Sequence, residues 1–178
     1  YGNASHKNLT QKEVISSRGT PLITTYEYPS DFPTETGMPT TVFDQMISQN
    51  ILNPVIKQET KMAANLLASQ ITAYKDWGTN SHNSANLILP EQIKTSKGSN
   101  PLENKITYQD YYDNGNIKQV SKAEGTPIFY IWGYNESQPI AEIENFTSTD
   151  AIAVQAFIDN AVAASDNDSP KTLENTLR

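Results

Sequence analysis

The stretch from Lys105 to Glu144 limits the fold more than any other part of the chain. Short runs rich in Ile, Val, Tyr and Phe alternate there with turn residues roughly ten positions apart. Lys105 to Tyr112 carries Ile106, Tyr108 and Tyr112. Asp113-Asn114-Gly115-Asn116 follows, and Asn and Gly tolerate the left-handed backbone of a tight turn. Ile117 to Ala123 returns, Glu124-Gly125-Thr126 turns again, and Pro127 to Tyr134 runs out. In that last run Ile128, Tyr130 and Trp132 share one face, and Phe129 and Ile131 share the other. Gln138 to Glu144, with Ile140 and Ile143, closes the series. Connections this short leave no room for crossover helices, so the spacing predicts an antiparallel meander and not a βαβ unit.

The pattern extends upstream. Lys12 to Tyr28 reads as a hairpin, with Val14 and Ile15 on one arm and Leu22, Ile23, Tyr26 and Tyr28 on the other. Its turn is Arg18-Gly19-Thr20-Pro21, which resembles Glu124-Gly125-Thr126-Pro127 closely enough to mark a weak internal repeat. Pro29 to Pro39 is a loop. Thr41 to Asn50 is a short helix, capped by Thr41 and closed by Asn50, with Val42, Met46 and Ile47 on one face and Phe43 beside them. Val55 to Thr60 is extended again, Lys61 to Ala64 turns, and Leu66 to Tyr74 returns towards Trp77-Gly78. After a polar loop at Thr79 to Asn86, Leu87 to Thr95 forms a strand. Pro90 lacks a donor, which predicts a sheet edge or a bulge there. Ser96 to Asn100 is a loop.

The tail changes period. Ser148 or Thr149 is the expected cap, and Val154, Phe157, Ile158, Ala161 and Val162 form a helical stripe from Thr149 to Ala164. Ser165 to Ser169 is an acidic break, and Ser169-Pro170 starts another helix. The expected class is therefore mainly β: a β-sheet array of antiparallel hairpin and meander repeats, with a short internal helix and a helical C-terminal segment. Residues 1–147 form the β-hairpin region and 148–178 the helical segment. The start at Tyr1 and the pattern still running at Leu177-Arg178 read as a slice of a longer array.

Composition excludes several functions. The net charge is −7, and Lys and Arg form no stripe that could neutralise phosphates, so a nucleic-acid partner is not expected. No apolar run approaches the ~20 residues of a membrane-spanning helix. There is no Cys, hence no disulfide or thiolate metal site. His6 and His82 lie far apart with no ligand-spaced partner, and no metal or cofactor is expected. Asp166-Asn167-Asp168 lacks the Gly and distal Glu of a calcium loop. Asn-x-Ser/Thr triplets, among them those at Asn3, Asn8, Asn135 and Asn145, read as chance in an Asn-rich chain.

Tyr112-Asp113-Asn114-Gly115-Asn116-Ile117 resembles the YD repeat of the RHS/YD-repeat family, one residue tighter than its commonest form. Tyr130-Ile131-Trp132-Gly133-Tyr134-Asn135, followed by Pro139-Ile140-Ala141, is similar to the variant of large surface proteins of the Bacteroidetes. There a Trp-Gly-Tyr-Asn element stands in for the second Tyr-Asp. The resemblance is strongest over Tyr108 to Asn145. It implies long spiralled β-sheets that form shells or fibres, and a secreted or cell-surface location. It assigns structural roles to Tyr112, Asp113, Gly115, Asn116, Tyr130, Trp132, Gly133 and Tyr134. The partners it implies are other segments of the same array, with secretion machinery and surface glycans as further candidates.

No nucleophile, base and orienter occur together, so no catalytic residue is assigned and no enzyme is expected. Asp110, Asp113, Glu142 and Glu144 are the best candidates among the carboxylates for acid–base work. Asp113 is explained by its turn, and Glu142 and Glu144 read as solvent-facing strand ends. The alternative reading is a carbohydrate-binding module that stacks sugars on Trp77, Trp132 and Tyr134, with Tyr130 in the same aromatic set.

Overall fold

A computed structural model describes residues 3–167. Nine strands lie in one sheet in strict chain order: β1 (Gln11–Ile15), β2 (Pro21–Glu27), β3 (Lys57–Met62), β4 (Asn65–Thr79), β5 (Asn86–Lys97), β6 (Glu103–Tyr111), β7 (Ile117–Lys122), β8 (Pro127–Gly133) and β9 (Gln138–Glu144). Three α-helices, α1 (Thr40–Ser48), α2 (Ser148–Ala153) and α3 (Gln155–Asp166), and a 3-10 turn at Pro29–Asp31 complete the described elements. The antiparallel meander with a short internal helix and a helical C-terminal segment is thus observed. The helix expected from Ser169-Pro170 lies outside the described residues.

Packing divides the described residues into two compact units. One comprises the chain up to Gly78 together with Asn86–Ile106; the other comprises Thr79–Ala85 and the residues from Thr107 onward.

In the first unit, the β1–β2 turn is closed by Ser16 N to Thr20 O at 3.0 Å and Gly19 N to Ser16 O at 2.9 Å. Gly19 has φ +76°, the value that selects glycine there. The related turn at Glu124-Gly125 is built differently: Glu124 takes the left-handed position, with φ +55°. The two Gly-Thr-Pro copies therefore share a strand-initiating proline, at Pro21 and Pro127, and not a turn geometry. Helix α1 buries Val42, Phe43 and Met46 against Ile56 and Ile88. Each fully buried side chain of this size contributes about 1.5–3 kcal/mol. Asn50 does close the helix region, with φ +59° and Ile51 N donating back to Met46 O at 2.8 Å. Thr41 does not cap it. The helix starts at Thr40, with extended Pro39 in the cap position and no side-chain cap bond. Pro90 is also not at an edge, because β5 lies between β4 and β6 in the sheet.

In the second unit, the alternation read from β8 holds. Phe129 and Ile131 are each 1% exposed and pack with Ala151 of α2 and Ile158 of α3. Phe146 meets Phe129 edge-on at 5.4 Å between centroids. The cap of α2 is Thr147, not Ser148 or Thr149. Thr147 and Asp150 form a reciprocal capping box, with Thr147 N donating to Asp150 Oδ2 at 2.8 Å. Ser148 is spent on the sheet instead: its hydroxyl donates to Asp110 Oδ2 and its amide to Gln119 Oε1, both at 2.7 Å. The helical stripe is also corrected. Val154, with φ −120°, separates α2 from α3, and Val154 and Phe157 are exposed. The face that α3 buries is Ile158, Ala161, Ala164 and Ser165.

Candidate functional site

The second unit brings the Tyr-Asp-Asn-Gly-Asn and Trp-Gly-Tyr-Asn elements together. The first motif makes the β6–β7 turn. Tyr112 N donates to Asn116 O and Gly115 N to Tyr112 O, both at 2.9 Å, and Gly115 has φ +93°. Asn114 Oδ1 accepts from Asn116 N at 2.8 Å, an Asx closure that explains an Asn at this position. Asp113 is exposed at the turn tip, and its backbone O accepts from Ser81 N at 3.1 Å.

The second motif ends β8 and makes the β8–β9 turn. Tyr134, Asn135 and Glu136 take φ values of +52°, +52° and +64° in succession. A left-handed run of three non-glycine residues costs about 1–2 kcal/mol per residue, so neighbours must hold it in place. Ser165 Oγ accepts from Tyr134 N at 3.1 Å, and Asp166 Oδ1 accepts from Asn135 N at 2.7 Å. From the other side, Asn116 Nδ2 donates to Glu136 O at 2.7 Å and Asn114 Nδ2 to Glu136 Oε2 at 2.9 Å. The end of α3 and the Asn-Gly-Asn turn together clamp the strained turn. Glu136 and Ser165 carry no functional signal in the sequence, and Asp166 stands out there only within the incomplete calcium-loop pattern Asp166-Asn167-Asp168. The sole hint was the Asp-rich end of a helical pattern.

Two aromatic polar atoms of the motifs are directed at backbone. Tyr112 Oη donates to Tyr130 O at 2.9 Å, and Trp132 Nε1 donates to Ile117 O at 2.8 Å. Burial, followed by the nearby Asp110 carboxylate, pushes the Tyr112 hydroxyl up to about 12 from its ordinary value of 10. The neutral hydroxyl therefore contributes its stability in full below pH 10, and the contribution is lost as pH rises through about 12. Ultraviolet phenolate titration of Tyr112→Phe against wild type is expected to lose one late-titrating tyrosine, with about 1 kcal/mol less stability at neutral pH. A difference spectrum titrating near 10 would show that Tyr112 is not held this way.

The aromatic residues named for sugar stacking are divided between the two units. Trp77 belongs to the first unit, where its Nε1 donates to Leu89 O at 3.2 Å and Lys75 Nζ sits 4.6 Å from the ring centroid. Trp132 and Tyr134 belong to the second. Trp132 lines a cavity of about 290 Å³ together with Tyr112, and Tyr134 does not line it. Tyr130 is half-buried, and burial followed by Glu142 raises its pKa.

Among the carboxylates, Asp110 is paired with Lys118 Nζ at 3.0 Å and accepts from Ser148. Glu142 and Glu144 are exposed on β9, opposite Tyr130 and Ile128. The fold also brings a carboxylate to each histidine, which the sequence spacing does not show. His6 Nε2 lies 3.3 Å from Asp31 Oδ2, and His82 Nε2 lies 3.4 Å from Glu136 Oε2. Among the described residues no group of three or more His, Cys, Asp or Glu is placed to hold a metal ion.

No family model, curated protein or solved structure matches the chain.

Proposed function

We propose that this chain is a non-catalytic structural and interaction segment of a large secreted or cell-surface YD-repeat-like protein, a stretch of its β-sheet wall. The observation that carries the reading is the use of the motif side chains. Tyr112, Trp132 and Asn116 each donate to a main-chain carbonyl of the same unit, at Tyr130, Ile117 and Glu136. A buried aromatic whose polar atom is spent on backbone acts as a staple between strands. The strict chain order of the strands supports the same reading, since a wall grows by adding one hairpin beside the last. β1 ends the strand order, and its Val14 and Ile15 are 48% and 59% exposed. Other segments of the array are the partners that would cover such an edge.

The test is Trp132→Phe, which keeps a ring and deletes the indole donor. Urea unfolding is expected to show about 1–2 kcal/mol lost. A parallel tryptophan-quench titration with a panel of glycans is expected to be flat. Unchanged stability together with saturable quenching that Trp132→Phe abolishes would replace the wall reading with a binding module.

A further inference from the structure

The cavity beside Trp132 is built by both motifs and by α3. Tyr112 and Trp132 supply aromatic wall, and Ile158 and Val162 supply apolar wall from the helix. Besides Ala163 the remaining lining is polar: Asn114 and Gln155 are amides, and Glu136, Asp159 and Asp166 are carboxylates. Among the described residues no Lys or Arg lines it; Lys118 Nζ, paired with Asp110, lies 5.5 Å from the Tyr112 ring centroid and leaves Trp132 as the aromatic face for a ligand. Trp132 is held in place by its bond to Ile117, and Tyr112 by its bond to Tyr130, so the aromatic walls are fixed before any ligand arrives.

Each carboxylate has one oxygen engaged. Glu136 Oε2 faces Asn114 Nδ2 and His82, Asp159 Oδ1 accepts from Gln155 Nε2 at 2.8 Å, and Asp166 Oδ1 accepts from Asn135 N. The charge arrangement also runs against the helix. The last turn of α3 carries Asp166 and no basic residue, although a helix C-terminus favours cations. Aromatic faces likewise attract cations. Glu136 is presented by the strained left-handed turn, a conformation held at a cost by its neighbours.

We propose that this cavity binds an organic cation with a short apolar stem, an alkylammonium or guanidinium group. The methylenes pack on Trp132, Tyr112, Ile158 and Val162, and the head group meets the carboxylates. A basic side chain of a neighbouring polypeptide and a free diamine share this chemistry. The site is independent of the wall reading, because a structural segment and a binding module could equally carry it.

The experiment follows the two indole N–H signals of the intact 15N-labelled chain, assigned with Trp77→Phe. The probes are n-butylamine and its neutral counterpart n-butanol. The Trp132 signal is expected to move saturably with the amine at neutral pH and low salt, and to move far less with the alcohol. The Trp77 signal is expected to stay in place. Asp159 is exposed and bonded within its own helix, so its variants are expected to fold. Asp159→Asn is expected to weaken the amine about two- to fivefold, the range of a partly exposed ion pair. Asp159→Lys places a tethered ammonium in the cavity and is expected to abolish the response. Putrescine and Nα-acetyl-lysine-N-methylamide then distinguish a free diamine from a peptide side chain by which saturates first. An equal response to amine and alcohol, no response at tens of millimolar amine, or a titration unchanged in both Asp159 variants would overturn the proposal. None of these outcomes bears on the stability test of Trp132→Phe.

Discussion

Gly133→Ala is expected to unfold the second unit more easily by about 3 kcal/mol, the upper part of the range for overpacking a filled core. Gly133 is the buried end of β8, where the strand meets α3. A methyl on its Cα would overlap Ser165 Oγ and would also come within 2.9 Å of Ser165 Cβ and 3.0 Å of Ile140 Cγ2. Ser165 cannot swing away freely. It is 1% exposed, its hydroxyl donates to Val162 O at 2.6 Å, and it accepts from Tyr134 N. Moving it releases the amide of the first left-handed residue of the strained turn. Urea unfolding gives the magnitude, and amide hydrogen exchange shows where the loss falls, with α3 and residues 134–136 exchanging first. Ser165→Gly removes two of the three clashing atoms, so the double variant is expected to recover part of the loss. A Gly133→Ala protein within about 0.5 kcal/mol of wild type would mean that α3 does not pack on β8 in this way.

Phe129→Ala is expected to cost about 3–5 kcal/mol, the usual range for emptying a buried aromatic site. Phe129 is 1% exposed and central to the cluster with Ile131, Ala151 and Ile158, and Phe146 lies against its ring. The informative comparison is Phe157→Ala. Phe157 lies on the stripe that helical periodicity assigns to the core, yet it is 46% exposed. Its replacement is expected to stay within about 0.5 kcal/mol of wild type. Equal losses at the two phenylalanines would favour the periodic stripe over the observed face of α3.

The hairpins were legible because turn chemistry is local. Gly19, Asn114 and Gly115 declare their turns through backbone freedom and Asx closure, which need only near neighbours. The inward face of β8 was legible for the same kind of reason, since alternation along a strand has a fixed period of two. The helical tail was read less well. A period of 3.6 picks out a face only while the helix is continuous, and the break at Val154 resets that phase. The cap was displaced by one residue because Ser148 finds better partners on the sheet, at Asp110 and Gln119, than at a helix start.

The sequence by itself determined the class of fold: short connections at regular spacing, with β-branched and aromatic arms, admit an antiparallel meander and little else. It also marked the Tyr-Asp and Trp-Gly-Tyr-Asn elements. Only the tertiary structure decided what those elements do together. Asn114 and Asn116 reach Glu136 across about twenty residues, and Ser165 and Asp166 reach Tyr134 and Asn135 across 31. Side-chain hydrogen bonds of that separation depend on angstrom-level placement of elements, which no local pattern encodes. The same holds for the cavity, whose aromatic wall comes from β8 and the β6–β7 turn and two of whose carboxylates come from a helix.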